Sequence, residues 1–596
     1  MLNTLKKYWN YDNFRPLQAE IIQSVLDGRD TLALMPTGGG KSLCFQVPTM
    51  VMGGLCLVIT PLISLMKDQV ENLRCRDIRA AAIYTGMTYE QQKVALDNCQ
   101  WGPYHFLYVS PERLESEEFR ERLTRLPICL IAVDEAHCIS QWGYDFRPSY
   151  LKIAEIREVI RRKGDEAIRR EVPILALTAT ATPDVVDDIQ ERLAFREKNV
   201  LRKSFLRANL SYVVRQTNKK ADEIVHILSK VPGSAIVYVR NRQRAQELAT
   251  YLNEKGLSAD FYHAGLTAKE RAAKQEAWKI GEKAMRREGE RPGTRVIVAT
   301  NAFGMGIDKP DVQVVIHHDL PDTIEAYFQE AGRAGRDEQK AFAVLLYDPA
   351  QDKAKARKRV ADNYPPEEFL HTVYHKTCNY LGVGADSGQG ATFFLDVYDL
   401  CQKMHLPILT TYSALHLLSQ MGYFSFEEDQ EIQPRVQIRV QRRELDNYNL
   451  TDAQMALLES LMREYTGIFT DLQYLRGGQP SCSLEDVSLQ NGGNAAYSLE
   501  TKRHELLVSL AQKGIISYVP RTIANVLRLT VNRQGEIRVP EHFYSQRKDH
   551  YVDKLKAMVE YADNQLYCRS QLLLSYFGEN DAITCGTCDI CRKNRS

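Results

Sequence analysis

The apolar positions of this chain fall into short runs separated by stretches of helical period. Five β-rich runs come early: Thr31–Met35, Leu57–Pro61, Leu107–Pro111, Ile128–Val133 and Ile174–Ala181. They are nearly continuous in apolar residues, as strands buried on both faces require. Their alternation with helical stretches predicts a parallel sheet covered by helices on both sides. A second series of the same kind begins near Ser211, with runs starting at Ala235, Arg295 and Val312. Beyond Pro366 the pattern changes. Helices lead into a hairpin-like string, FSFEEDQEIQPRVQIRV, and a second similar unit from about Thr451 ends in GIISYVPRTIANVLRLTVNRQGEIRV. That order is of winged-helix type. The expected architecture is α/β, with two parallel-sheet lobes (1–205 and 206–350), two winged-helix-like α+β units (351–445 and 446–545) and a small terminal module (546–596).

Composition narrows the class. At 596 residues the chain is too long for one hydrophobic core. Its 44% hydrophobic and 26% charged residues suit an ordinary soluble protein. No apolar run has the length of a membrane span, and MLNTLKKYWNYDNF lacks a signal-peptide core. The expectation is a cytoplasmic protein, nucleoid-associated if bacterial, with no membrane partner. Most of the 13 cysteines, such as Cys44, Cys56 and Cys129, stand singly among apolar residues, which suits reduced thiols. A net charge of +1 does not by itself suggest nucleic acid.

The chemistry lies in motifs. The string TLALMPTGGGKS runs from an apolar strand through Thr37, Gly38, Gly39 and Gly40 into a helix at Lys41 and Ser42. Such a turn aims backbone N–H groups at a phosphate, and the helix N-terminus adds partial positive charge. Lys41 can reach the β- and γ-phosphates, and the Ser42 hydroxyl can ligate magnesium. Met35 stands where the usual P-loop has its first glycine. A plain glycine turn is the alternative reading. The strand Ile128–Val133, however, ends in Asp134 and Glu135, the second half of an ATP site. Asp134 would hold magnesium and Glu135 would deprotonate the attacking water.

The second lobe has no P-loop but carries QEAGRAGRD, from Gln329 to Asp337. Arg333 and Arg336 can face one cleft and act as arginine fingers toward a nucleotide held by the first lobe. A surface ion pair to Glu330 or Asp337 is the blander alternative. Near the C-terminus, Cys568, Cys585, Cys588 and Cys591 form C-x16-C-x2-C-x2-C, the spacing of a structural zinc site.

Taken together, FRPLQAEII, PTGGGKS, TPLISLMKDQ, SPERL, DEAHCISQWGYDFRPSY, LTATA, YHAGL, VATNAFGMGIDKPDV and QEAGRAGRD resemble superfamily 2 helicases, and within them the RecQ family. The resemblance implies two RecA-like lobes, ATP and magnesium as cofactors, zinc as a structural ion, and DNA as partner, unwound with 3′→5′ polarity in repair, recombination or replication restart. It implies that Gln18 bonds the adenine edge, Tyr11 stacks on the base, Arg15 supports that site, and Gln329 belongs to the ATP-binding set. Trp142, Tyr144 and Phe146 of the aromatic-rich loop would take unpaired bases, with Arg147 on phosphate. Thr60, Ser64 and Lys67 in the first lobe, and Thr300 and Asn301 in the second, are expected strand contacts. A DNA translocase that does not separate strands is the alternative function. An RNA helicase and a non-enzymatic DNA scaffold are further rivals.

Several features depart from the family. The charged stretch GEKAMRREGERPGT, 281–294, reads as a surface insertion. The cysteines come last, whereas in many RecQ proteins the zinc module directly follows the helicase core. Lys353, Lys355, Arg357, Lys358 and Arg359 read as either a DNA-facing stripe or a solvated helix face. The first wing carries Glu427, Glu428, Asp429 and Glu431, the second Arg521 and Arg528; duplex contact is therefore expected at the second. The sequence leaves the oligomeric state and the preferred DNA structure open.

Overall fold

The computed structural model describes residues 1–594 apart from 37, 85–86, 88, 141–146, 163–171, 282–292, 302, 304–308, 433, 472, 476–494 and 520–521. The chain divides into two compact units, Met1–Val360 with Ser545–Ser596, and Ala361–Tyr544. The charged insertion predicted at 281–294 falls almost wholly outside the described residues.

In the first unit, the early apolar runs form β1 (Thr31–Leu34), β2 (Leu55–Ile59), β3 (Ala80–Ile83), β4 (Phe106–Val109), β5 (Ile128–Val133), β6 (Ile174–Thr178) and β7 (Val200–Arg202). They make a parallel sheet of order β3-β4-β2-β5-β6-β1-β7. Alternate residues of each strand serve opposite faces. Leu32 and Leu34 enter one core with Leu57 and Ile59. Ala33 and Met35 enter the other, with Ile21 and Phe45 from the helices Gln18–Leu26 and Leu43–Met52. Double coverage explains why these strands are apolar throughout.

The second lobe repeats the plan with β8 (Leu210–Gln216), β9 (Ser234–Tyr238), β10 (Ala259–Tyr262), β11 (Val296–Ala299), β12 (Val312–His317) and β13 (Ala341–Tyr347). Its order is β10-β11-β9-β12-β13-β8, again parallel.

The C-terminal segment is no appendage. Met558, Tyr561, Ala562, Leu573, Leu574 and Phe577 belong to the same core as both lobes. The Phe577 ring lies 5.3 Å from Phe205, on the segment between the lobes, and 4.9 Å from Phe328 of the second lobe. A buried ion pair, Lys554 to Glu325 at 2.8 Å, fixes the helix Glu541–Asp563 to the same place. The C-terminal segment therefore packs on the two parallel-sheet lobes, and the unit Ala361–Tyr544 is an insertion in the sequence between them.

The predicted basic stripe lies on the helix Pro349–Asn363. Lys353 pairs with Asp563 at 2.7 Å, and Arg359 donates to the Leu320 carbonyl at 2.9 Å and to Asp322 at 2.5 Å. Part of the stripe thus ties this helix to the core instead of offering charge to DNA.

The second unit corrects the expected boundaries at 445/446. Helix Glu367–Tyr380, β14 (Thr392–Leu395), helices Val397–Met404 and Ile408–Gln420, and β15 (Phe424–Ile432) follow in winged-helix order. The chain then builds a second body before the last strand of the first. That body holds β16 (Arg435–Ile438), helix Asp452–Glu464, β17 (Gln473–Tyr474), helix Ala495–Gln512 and β18 (Ile516–Val519). Its sheet is β17-β16-β18, over a core of its own that includes Val436, Leu458, Leu461, Leu507 and Leu510. Only then comes β19 (Thr522–Leu529), the centre of the sheet β14-β19-β15. The hairpin read in FSFEEDQEIQPRVQIRV does not form: β15 pairs with β19, and β16 with β18. One body is nested in the wing of the other. Arg528 consequently stands opposite Ser425 and Thr392, in the same sheet as the acidic strand. The contrast between an acidic first wing and a basic second wing does not hold, and Arg521 lies outside the described residues.

Among the described residues no helix is long and apolar enough to cross a membrane.

Candidate active site and zinc centre

The glycine-rich loop leaves the C-terminal end of β1, and Asp134 and Glu135 leave that of β5, with β6 between them. Ligands of open parallel sheets sit at such strand ends. Gly38 and Gly40 both have φ of +79°, in the left-handed region, and the helix begins at Leu43. A Cβ on Gly39 would stand 2.9 Å from the Pro36 carbonyl oxygen, so side chains are excluded along this cradle.

Lys41 Nζ lies 4.0 Å from Glu135 Oε1. Glu135 itself has φ of +48°, and its N–H donates to Asp134 Oδ1 at 3.0 Å. Two carboxylates are thus held side by side, Glu135 buried and Asp134 half-buried. Desolvation, then the neighbouring Glu135, pushes the Asp134 carboxyl up to about 6 despite Lys41. Burial also works on Glu135, but Lys41, His137 and Arg333 together hold its carboxyl below the usual range. Two carboxylates beside one lysine leave excess negative charge, a setting that fits a magnesium ion.

Two of the residues expected on the adenine side bond the glycine-rich loop. Gln18 is 1% exposed, and its amide serves the loop. Its Nε2 donates to the Gly40 carbonyl at 3.0 Å, and its Oε1 accepts from the Arg15 N–H at 2.9 Å. Arg15 Nη1 donates to the Gly38 carbonyl at 2.7 Å. Both brace the phosphate loop from behind. Tyr11 is exposed, as a stacking residue would be. Thr37 lies outside the described residues.

The second lobe reaches this loop. Arg336 packs against Gly38, and Arg333, 4% exposed, acts electrostatically on Glu135. Gln329 is buried in the helix Ile324–Ala331 that leads into the arginine turn. Lys41, Glu135, Arg333 and Arg336 converge from two lobes on one cleft.

His137 and Thr178, quoted only inside their motif strings, join the site. His137 Nδ1 lies 2.9 Å from Thr178 Oγ1 and 3.4 Å from Glu135 Oε2. This links the carboxylate to the end of β6. The aromatic loop 141–146, with Trp142, Tyr144 and Phe146, lies outside the described residues, but its flanks are pinned. The Arg147 N–H donates to the Cys138 carbonyl at 2.8 Å, and the Tyr150 hydroxyl to the Asp134 carbonyl at 3.0 Å.

The expected strand contacts separate into two groups. Lys67 is exposed, with Nζ 4.7 Å from the Tyr84 ring centre, and Asn301 is exposed. Ser64 lies on the helix Ile63–Arg74, and Arg147 Nη1 reaches the Pro61 carbonyl at 3.5 Å. Thr60 and Thr300 are 1% and 6% exposed, which leaves their side chains little surface for a strand.

The sulfur atoms of Cys568, Cys585, Cys588 and Cys591 all lie within 4.8 Å of one another. Tetrahedral zinc with thiolate bonds of about 2.3 Å spaces its sulfurs by about 3.8 Å. The N–H groups of Cys585, Cys588 and Cys591 donate to the sulfurs of Cys568, Cys585 and Cys588 at 3.3, 3.4 and 3.4 Å, bonds that favour thiolates. The cluster fits one structural zinc ion. Buried Arg569, beside the first cysteine, grips Asp589, and an Asp589 oxygen accepts from the Val214 N–H of β8 at 3.3 Å.

Three family models match: DEAD/DEAH box helicase over residues 15–189, helicase conserved C-terminal domain over 219–338, and RecQ zinc-binding over 530–592. The chain is 41% identical over 390 residues to ATP-dependent DNA helicase RecQ of Haemophilus influenzae, covering 64% of this chain and 60% of that protein. It is 40% identical over 375 residues to Probable ATP-dependent DNA helicase RecS of Bacillus subtilis, covering 62% and 71%. With ATP-dependent DNA helicase RecQ of Bacillus subtilis it shares 41% identity over 347 residues, covering 58% and 56%. The match thus spans between about half and seven-tenths of the length of these relatives.

Proposed function

Because this chain belongs to the RecQ family of superfamily 2 helicases, we propose that it is an ATP-driven DNA helicase that moves 3′→5′ along one strand and separates duplexes in repair, recombination or replication restart. The observation that carries this reading is the convergence of Lys41 and Glu135 from one lobe with Arg333 and Arg336 from the other. ATP binds in that cleft. Ser42 and Asp134 would hold magnesium, which neutralises charge on the phosphate oxygens. Lys41 orients the β- and γ-phosphates. Glu135, kept ionised by its cationic neighbours, accepts the proton of the attacking water. Arg333 and Arg336 meet the charge that develops on the transferred phosphoryl group.

Coupling to DNA follows from the same segment. Asp134 and Tyr150 bracket the aromatic loop, so a strand stacked on that loop pulls on the backbone of the metal-binding carboxylate. DNA junctions are the proposed partners. The test is steady-state ATP hydrolysis with single-stranded DNA, with single-stranded RNA and with neither. Strong stimulation by DNA alone supports the reading. Equal stimulation by RNA contradicts it.

A further inference from the structure

The two arginines sit on a turn that has left its helix. The helix Ile324–Ala331 ends at Gly332, where the last carbonyls lose their helical partners. Arg207, on the segment joining the two lobes, takes them. Its Nη1 donates to the Gly332 carbonyl at 3.3 Å, and its Nη2 donates to the carbonyls of Ala334 at 3.0 Å and Gly335 at 2.6 Å. Asn209 Nδ2 adds bonds to the carbonyls of Gly335 at 2.7 Å and Gln339 at 2.8 Å. Gly335 has φ of +64°, and a Cβ there would stand 2.8 Å from that of Ala341. The turn is therefore pulled tightly onto the joining segment.

We propose that Arg207, supported by Asn209, is the positioning residue of the arginine pair. It grips the carbonyls on either side of Arg333 and just before Arg336, and so fixes where both guanidinium groups point. This rests on the reading of Arg333 and Arg336 as the transition-state clamp. A guanidinium suits the task for two reasons. Its positive charge complements the helix C-terminus. Its planar fork spans three carbonyls, which the single ammonium of lysine does not. The grip also has a fixed root. The Phe205 N–H and the Ser204 hydroxyl both donate to Glu579 of the zinc module, at 2.7 and 2.6 Å, and the Phe205 ring packs against both Phe328 and Phe577.

The test uses the full chain with Arg207→Lys and, separately, Asn209→Ala. Three quantities are read with saturating single-stranded DNA: kcat and KM for ATP, affinity for ADP–aluminium fluoride as a transition-state mimic, and affinity for a non-hydrolysable ATP analogue. Thermal melting is recorded alongside. Misplacing a catalytic group by about 1 Å can cost about a hundredfold, so Arg207→Lys should lower kcat by about tenfold to a hundredfold while KM stays within about twofold. Aluminium-fluoride binding should weaken, with analogue binding and melting unchanged. Asn209→Ala should act in the same direction and less. If Arg207→Lys does not fold, Asn209→Ala carries the test alone, since it removes three bonds, one of them from Arg207 itself, and no charge. Wild-type kcat in the folded variants overturns the proposal. So does a parallel fall in kcat, analogue affinity and melting temperature, the mark of a merely structural role. Wild-type protein is the control: if it hydrolyses no ATP, the clamp reading itself fails and takes this one with it.

Discussion

Arg336 of the second lobe lies against Gly38 of the first, where a Cβ would stand 3.4 Å from Arg336 Cγ. The residue proposed to complete the phosphate clamp is thus packed on the loop proposed to start it. With φ of +79°, Gly38 also has a backbone that side chains strain. Gly38→Ala should lower kcat for ATP hydrolysis by about tenfold or more, because an alanine strains the left-handed backbone of the loop on which Arg336 packs. An alanine variant with wild-type kcat would mean that the loop takes another backbone conformation when active.

Asp30 anchors the first lobe from below the sheet. Fully buried, it accepts from Arg157 Nη2 at 2.9 Å, from Arg196 Nε at 3.1 Å and from the N–H of Ile174 at 3.0 Å. Burial works against its charge, but the bonds from Arg196 and Ile174 and the charge of Arg157 hold its carboxyl below the usual range. A depressed folded value adds stability that is fully present above the unfolded pKa, about 3.9, and is lost as pH falls through the lower folded value. Asp30→Asn should cost about 3 kcal/mol at neutral pH. The gap between variant and wild type, read from urea midpoints, should narrow below about pH 4. A gap independent of pH would show that the carboxylate is not the stabilising species.

Metal removal should be felt in the helicase core. Asp589, between the last two cysteines, bonds β8, and Glu579 holds the segment between the lobes. Chelation of zinc, or Cys588→Ser, should lower the melting temperature by several degrees or more, because metal-binding free energy is folding free energy. Melting indifferent to chelator would contradict this integration.

The lobes, the phosphate loop, the paired carboxylates and the four cysteines were legible because each is written in a short string. The strand Ile128–Val133 and its acidic end need no distant partner to be recognised. Nesting was not legible for the opposite reason. Strands β15 and β16 are adjacent in sequence and each has β character, so local pattern favours pairing them. Period-two alternation carries no information about which remote strand completes a sheet. The bracing of the phosphate loop by Gln18 and the grip of Arg207 were hidden likewise, since both depend on carbonyls brought near by the fold.

The nesting makes its own prediction. Ile432 and Thr522 are directly paired across β15 and β19. Replacing residues 433–521 with Asn-Gly, which favours a two-residue hairpin turn, should leave the winged-helix body folded. Circular dichroism and melting of the shortened chain should show no loss beyond the helices and strands removed. ATP hydrolysis stimulated by single-stranded DNA should persist. Collapse of the winged-helix signal would show that the inner body supports the outer one.

The most direct test of the central claim is strand separation on duplexes with a 3′ or a 5′ tail, with ATP and magnesium, beside Lys41→Ala. The account predicts that only the 3′-tailed duplex is unwound and that the variant, without the lysine at the phosphate loop, unwinds neither. ATP hydrolysis stimulated by single-stranded DNA with no unwinding of either duplex would contradict it and identify a translocase instead.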